Sequence, residues 1–380
     1  MSKDETFDLT YLTIDSLSEG VGSSQITPLI SRLSNAELKI CMISYEKSAP
    51  DPDLIDNFQS IGVQWRFRQF KASGLYGGIE RLNRLRQDIP RSSLIHARSD
   101  IPAVSGIASR EAPVLWDVRS LWADQKLMIQ DNLLNKTLYH SYRKLEKIAA
   151  SKSLGMSTLT HAVVPVLAER NGKLPTLQTV VPTAVNLDRF RLRGTMPTKY
   201  RALFSGTYND YYDLVLSALF MRQLRNQIDV ETHWARPFES AKTHIGVGEE
   251  RIFPSTQYEM ASLIPNYSFG VSICKMDAGP SLTAAMPTKI AEFLACGRPI
   301  VINAGLGDMD ELITEFNAGV ILDQNLGNLN EKVTKLIELI SDPGTPTRCR
   351  ALAEQYFSMD KGSEKYLSLY SKMLHSKNLH

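Results

Sequence analysis

The stretch Met286–Val301, MPTKIAEFLACGRPIV, combines residue types that could bind an anion and a diol side by side. Pro287 suits the first turn of a helix, where its missing N–H costs nothing. Gly297 and Pro299 would end that helix and launch a strand. The amides of Thr288, Lys289 and Ile290 would form an anion site at the positive end of the helix, with the Lys289 ammonium adding a point charge. Glu292 lies three residues after Lys289 and four after Thr288, on the same helical face. A carboxylate there can accept from two neighbouring ribose hydroxyls while phosphates sit at the helix start. The same spacing also suits a capped core helix with a solvated Glu–Lys pair, and spacing alone leaves both readings open.

A second candidate is the loop DSLSEGVGSSQITPL, in which Gly20 and Gly22 sit where a strand turns into a helix. Backbone amides near Ser23 and Ser24 could approach a phosphate there. A dinucleotide fingerprint would want a third glycine where Gln25 stands, although Glu46 follows the next strand at a distance suited to a ribose carboxylate. Arg98, Asp117, Arg119 and Asp124 fall at or just beyond predicted strand ends, the edge at which open α/β sheets bind ligands. They are either substrate-facing groups or internal Asp–Arg pairs that shape the loops. His96 reads as a strand-end packing histidine, and Trp116, Trp122 and Trp234 as packing groups, with Trp122 in a loop that could also face the cleft. The triplets Asp51–Asp53 and Asp308–Asp310 invite a metal reading, but a proline-flanked turn and a helix start make surface carboxylates and capping the better account. No metal site and no cofactor are expected.

These residues must be held by an alternation of short apolar runs and amphipathic stretches. Strands are predicted at Leu9–Ile14, Lys39–Ser44, Val63–Arg68, Ser93–His96, Pro113–Val118 and Thr179–Val181. The rhythm restarts at Arg201–Ser205 and continues through Val230–Trp234, Arg251–Phe253, Phe269–Cys274, Pro299–Asn303 and Gly319–Leu322. Strands separated by helices imply βαβ units and parallel sheets covered on both faces. The fold class is α/β, with two doubly wound Rossmann-like domains. The junction falls in the turn-rich Val180–Tyr200, giving a first domain of 1–184 and a second of 185–360. A last helix, Lys361–Leu374, follows a break at Ser358–Asp360.

Composition narrows the function classes. Lys+Arg 43 against Asp+Glu 41 leaves a net charge of +2, without the basic excess of a nucleic-acid binder. The 4 cysteines are far apart in sequence, which argues against a zinc site or a disulfide framework and for reduced thiols. The acidic start carries no signal-peptide pattern, and no apolar run approaches the ~20 residues of a membrane span. A cytoplasmic location is expected. The stretch Trp65–Arg91 interleaves basic with aromatic and apolar residues. It reads equally as a solvated helix face or as a peripheral contact with a membrane or an anionic acceptor.

Several of these segments together resemble glycosyltransferase family 4. EGVGSSQITPLISRL is similar to the Gly-rich first loop and helix of a subgroup of that family. HARSDIPAV and WDVRSLWADQ are similar to its next two strand ends, and VVPTAVNLDRF to its interdomain segment. PTKIAEFLACGRPIV resembles its nucleotide-binding helix, and FSMDKGSEKYLSLYSKML the helix that returns to the first domain. They occur in the family's order along nearly the whole chain.

The resemblance implies the GT-B architecture: two Rossmann-like domains facing each other across a cleft, with residues 361–380 crossing back to the first. It implies a nucleoside-diphosphate sugar as donor, a glycan or lipid-linked hydroxyl acceptor, retention at the anomeric carbon, and work on cell-surface polysaccharide at the inner membrane face. By position, Glu292 would hold the nucleotide ribose, Gly22 would face the donor phosphate, Gly206 would end the first strand of the second domain, and Arg251–Pro254 would line the base. The family's first glutamate falls at Ala284, and its diphosphate-neutralising arginine at Thr207. Asp277 is then the nearest carboxylate for the donor sugar. Lys289, Arg236 or a first-domain arginine must supply the positive charge. Arg119 stands where many members have a histidine beside the reacting sugar, and Arg98 and Asp124 fall on the acceptor side. The departures at Ala284 and Thr207 leave a degenerate sugar-nucleotide-binding protein as the alternative, with a GT-B-like epimerase or an NAD-dependent enzyme as a third class.

Overall fold

A computed structural model describes residues 5–18, 20–69, 74–129, 133–206, 211–236, 249–253, 256–323 and 326–377. The chain divides into two compact units, Met1–Pro182 together with Met359–His380, and Thr183–Ser358.

In the first unit the strands are β1 (Phe7–Leu12), β2 (Ile40–Glu46), β3 (Val63–Gln69), β4 (Ser92–Arg98), β5 (Val114–Val118), β6 (Gly155–Thr158) and β7 (Leu177–Val180). They form a 7-stranded sheet in the order β3-β2-β1-β4-β5-β6-β7. Every pairing is parallel, with Leu9 against Ile40 on one side of β1 and against Leu94 on the other. Strands β2 and β5 are buried at every position, as expected where helices cover both faces of a parallel sheet. Strand β6 escapes a reading by apolar runs because GMST is short and has only one large apolar side chain. The C-terminal helix Met359–Lys377 belongs to this unit. Its Lys365 ammonium donates to the Val180 carbonyl at 3.0 Å.

The second unit contains β8 (Arg201–Ser205), β9 (Glu231–Ala235), β10 (Glu249–Ile252), β11 (Phe269–Ser272), β12 (Ile300–Asn303) and β13 (Gly319–Leu322). These form a 6-stranded parallel sheet in the order β10-β9-β8-β11-β12-β13. One face is covered by the helices Leu214–Arg225 and Leu329–Ser341. Their Phe220, Leu224, Val333 and Leu336 pack with Phe204, Val271 and Val301 of the strands.

Both sheets reverse their strand order once. The first does so between β1 and β4, the second between β8 and β11. A crevice at the carboxyl ends of the strands beside such a reversal is where doubly wound folds bind ligands. The elements therefore single out two places, one per unit.

Part of the basic stretch Trp65–Arg91 is engaged by its own neighbourhood. Arg68 pairs with Asp88 at 2.6 Å, Arg84 with Glu80 at 2.9 Å, and Arg81 is buried. Residues 70–73 within it lie outside the described residues. Among the described residues no helix is long and apolar enough to cross a membrane. All four cysteines are buried free thiols.

Candidate active site

The helix Thr288–Ala295 is seated on β11 by a close approach that only glycine permits: a Cβ on Gly270 would meet the Phe293 ring at 2.5 Å. The Arg350 guanidinium donates to the Ala295 carbonyl at 3.0 Å and satisfies the negative end of that helix. Ahead of it, Thr183 Oγ1 donates to the Met286 carbonyl at 2.6 Å. Pro287 is the residue before the first helical position, extended at ψ 130. The Ile290 amide donates to the Pro287 carbonyl at 3.0 Å, so it is not one of the anion donors that the sequence suggests. The amides of Thr288 and Lys289 remain the candidates.

This seating buries both charged residues of the helix, Lys289 to 8% exposure and Glu292 to 9%. The solvated Glu–Lys pair allowed by the spacing is therefore not what forms. The Lys289 ammonium lies 4.2 Å from the Tyr212 ring centroid, a cation–π contact. It also sits beside Gly206, where a Cβ would come 3.8 Å from Nζ. Gly206 follows β8 with φ +90, a conformation that favours glycine, and its amide donates to the Ala235 carbonyl at 2.9 Å. Thus β8, β11 and the helix bring Gly206, Lys289 and Glu292 to the strand-order reversal of the second unit. Burial dominates their electrostatics. It brings the Lys289 ammonium down to about 7 and pushes the Glu292 carboxyl up to about 7, each only partly opposed by the charge of the other. Among the described residues nothing donates a hydrogen bond to the Glu292 carboxylate. A diphosphate beside Lys289 and a diol beside Glu292 would each favour the charged form.

The neighbouring loop is fixed by Asn303, whose Oδ1 accepts from the Cys274 amide at 2.7 Å. Asp277 is an exposed carboxylate in the turn that follows. Ala284 is 2% exposed. Arg236 is buried, with its guanidinium 5.1 Å from the Trp234 ring centroid. Thr207 and Pro254 lie outside the described residues.

In the first unit the strand ends form a charge cluster around Asp117. Arg119 Nε donates to its Oδ2 at 2.6 Å, and Arg98 Nη1 lies 3.9 Å from the same oxygen. Ser157 Oγ donates to Oδ1 at 2.8 Å. Arg98 Nε reaches across the strand-order reversal to Asp15 Oδ2 at 3.0 Å. His96 is wedged below, its Nε2 3.2 Å from Asp117 Oδ2 and its Nδ1 2.6 Å from the Tyr370 hydroxyl. With the tyrosine donating to Nδ1, the ring is a neutral Nε2–H tautomer, in keeping with burial lowering its pKa. It is the packing histidine its position suggests. Burial works to raise the Asp117 carboxyl, but Arg119 first, then the His96 contact and Arg98, hold it far below the usual carboxylate range.

Two other strand-end carboxylates have structural partners. Asp124, offered by the sequence as an acceptor-side residue, accepts from Arg170 at 2.8 Å, beside the buried Glu146 and Asn171. Glu46 accepts from Ser44 and Ser16 hydroxyls, both at 2.6 Å, and from the Leu17 amide at 3.0 Å. That carboxylate pins the first loop and leaves no role on a ribose. Gly22 is required there because a Cβ would lie 1.8 Å from the Ser16 carbonyl oxygen. Ser23 and Ser24 hydroxyls donate back to the Gly20 and Val21 carbonyls at 3.1 and 3.4 Å. Asp51 caps the helix Pro52–Ser60, and Asp310 accepts from the Gly305 amide at 2.8 Å. Trp116 donates to Asp100 at 3.0 Å, and Trp234 stacks on Phe204 at 5.7 Å.

Tyr212, Tyr366, Tyr370 and Ser157 were not foreseen from sequence. The only signal for the helical pair is the i, i+4 spacing of Tyr366 and Tyr370 on an amphipathic stretch.

No family model matches the chain, and no curated protein matches it. Solved structures do. The chain is similar to sucrose-phosphate synthase from Thermosynechococcus elongatus, with a TM-score of 0.71, 12% identity, and coverage of 97% of this chain and 99% of that one. It is similar to a glycosyltransferase from Rickettsia africae, at 0.68, 13%, 97% and 99%. It is also similar to HepE from Anabaena in complex with UDP, at 0.66, 10%, 96% and 100%. At such identities the likeness speaks to fold, and the fold of this chain is GT-B, an α/β fold of two Rossmann-like domains.

Proposed function

We propose that this chain is a glycosyltransferase that takes its sugar from a nucleoside-diphosphate sugar, acts as members of family 4 do with retention at the anomeric carbon, and serves glycan or surface-polysaccharide synthesis. The observation that carries the reading is the buried Lys289–Glu292 pair beside Gly206, at the strand-order reversal of the second unit. HepE binds UDP and UDP-glucose in solved complexes, which makes uridine the first base to test here.

In the proposed reaction the bond from the anomeric carbon to the diphosphate oxygen breaks, and a bond to the acceptor hydroxyl oxygen forms. The electron pair leaves with the diphosphate, and the acceptor hydroxyl proton passes to the departing diphosphate oxygen. The demand is therefore for positive charge at the leaving group. Lys289 and the Thr288 and Lys289 amides meet it in a site shielded from water, where such charges act strongly. No divalent metal is invoked. Glu292 holds the ribose, and Asp277 stands by for the sugar hydroxyls. Arg119 and Arg98 of the first unit address the donor sugar or diphosphate and the acceptor. The acceptor is proposed to be a glycan or lipid-linked hydroxyl, used at the cytoplasmic membrane face; the exposure of Phe67 and Ile79 is compatible with a peripheral contact there.

The test is release of nucleoside diphosphate from a panel of UDP- and GDP-sugars by wild type and Lys289→Met. A working donor with turnover lowered about 100-fold in the variant, the loss typical of one transition-state charge donor, supports the reading. Equal turnover by both proteins sinks the role of Lys289. Ala284, buried where the family has a glutamate, favours one second reading. Tight nucleotide binding with no turnover of any donor would make this chain a sugar-nucleotide-binding protein.

A further inference from the structure

The C-terminal helix Met359–Lys377 brings two tyrosines under the charge cluster of the first unit. Tyr366 is 1% exposed and Tyr370 5%. Tyr370 is spent on His96. Tyr366 does something different: its hydroxyl accepts from Arg119 Nη2 and donates to Asp117 Oδ1, the latter at 3.1 Å. Arg119 also crosses above the Tyr366 ring, 5.9 Å from its centroid.

Asp117 and Tyr366 thereby hold the guanidinium at two separate nitrogens, Nε and Nη2. A planar guanidinium fixed at two nitrogens has its third set in place. Nη1 makes no hydrogen bond among the described residues, and Arg119 keeps 11% side-chain exposure. Ser157 shares the same Asp117 oxygen with Tyr366 but, among the described residues, makes no hydrogen bond to Arg119.

We infer that Tyr366 is a positioning residue: with Asp117 it clamps Arg119 so that Nη1 faces outward to meet an anionic group of the substrate. The identity of that group rests on the proposed transferase reading. The clamp itself does not. The sequence element that positions a strand-end arginine thus lies 247 residues away, on the last helix.

The test uses the full-length protein with site-resolved labelling of arginines by phenylglyoxal. In Tyr366→Phe, the labelling rate of Arg119 should rise about tenfold, the scale of one lost hydrogen bond to a charged group. Ser157→Ala should leave the rate near that of wild type, although both variants remove one donor from Asp117. Should the Phe variant fold poorly, Tyr366→Met supplies the same deletion with a flexible, space-filling side chain. An unchanged Arg119 rate in the Tyr366 variant overturns the inference. An equal rise in Ser157→Ala also overturns it, because the cause would then be general loosening around Asp117. With a working donor, Tyr366→Phe should lower kcat about tenfold with little change in donor KM. If labelling rises as expected but wild type turns over no donor, the transferase reading fails and the clamp stands.

Discussion

The two units share the order of six strands and treat charge in opposite ways at corresponding places. At the strand-order reversal of the first, Asp117 and Asp15 are matched by Arg98 and Arg119, and tyrosine, serine and histidine take up the remaining hydrogen bonds. At the reversal of the second, Lys289 and Glu292 are buried and held toward their neutral forms. A finished network positions groups. A buried cation and carboxylate held toward their neutral forms would gain charge on meeting a ligand of opposite charge or a hydrogen-bonding diol. The lesson is that a doubly wound sheet supplies the place, and the balance between burial and pairing decides what the place does.

The largest break in this comparison should come from Asp117→Asn. It leaves two guanidiniums facing a neutral amide, and removing one partner from a buried ion pair costs about 3–5 kcal/mol. Chemical denaturation at neutral pH should show a loss of that order. A loss below about 1 kcal/mol would mean that the cluster behaves like a surface pair.

A somewhat smaller effect separates the units by pH. Glu292 is raised from 4.5 to about 7. Between those values the folded chain keeps a proton that the unfolded chain has lost, so this contribution falls as pH rises through that window. Lys289 is lowered from 10.5 to about 7. Above that pH the unfolded chain keeps the proton, and stability rises again. Ligand-free protein should therefore carry a dip near neutrality. Glu292→Gln should abolish the falling limb, a change on the order of 3 kcal/mol across the window. An unaltered pH profile in that variant would show that Glu292 titrates as an exposed carboxylate does.

Much of this architecture was legible in the chain. Arg201–Ser205 and Gly319–Leu322 are predicted residue for residue, because short apolar runs bounded by turns leave little freedom. Strand β6 was not legible, since its four residues depend on β5 and β7 for their conformation. For the site, spacing put Lys289 and Glu292 on one face but could not tell a buried pair from a solvated one. That difference is made by Phe293 on Gly270. Glu46 illustrates the converse. Its position after β2 fits a ribose ligand, and only the Ser16, Leu17 and Ser44 contacts show that the loop consumes it. Tyr366 was illegible for a plainer reason: its partners, Asp117 and Arg119, come from a strand end far away in sequence.

The central claim is that Glu292 and Lys289 form a nucleoside-diphosphate site, and thermal unfolding tests it most directly. Wild type and Glu292→Ala would be melted with UDP, GDP, ADP, CMP and NAD in turn. A site filled to 100 Kd adds about 2.7 kcal/mol, enough for a clear shift in Tm. One diphosphate, UDP first, should stabilise wild type and lose most of that effect in Glu292→Ala. Equal stabilisation of both proteins, or a response to NAD alone, would contradict the account.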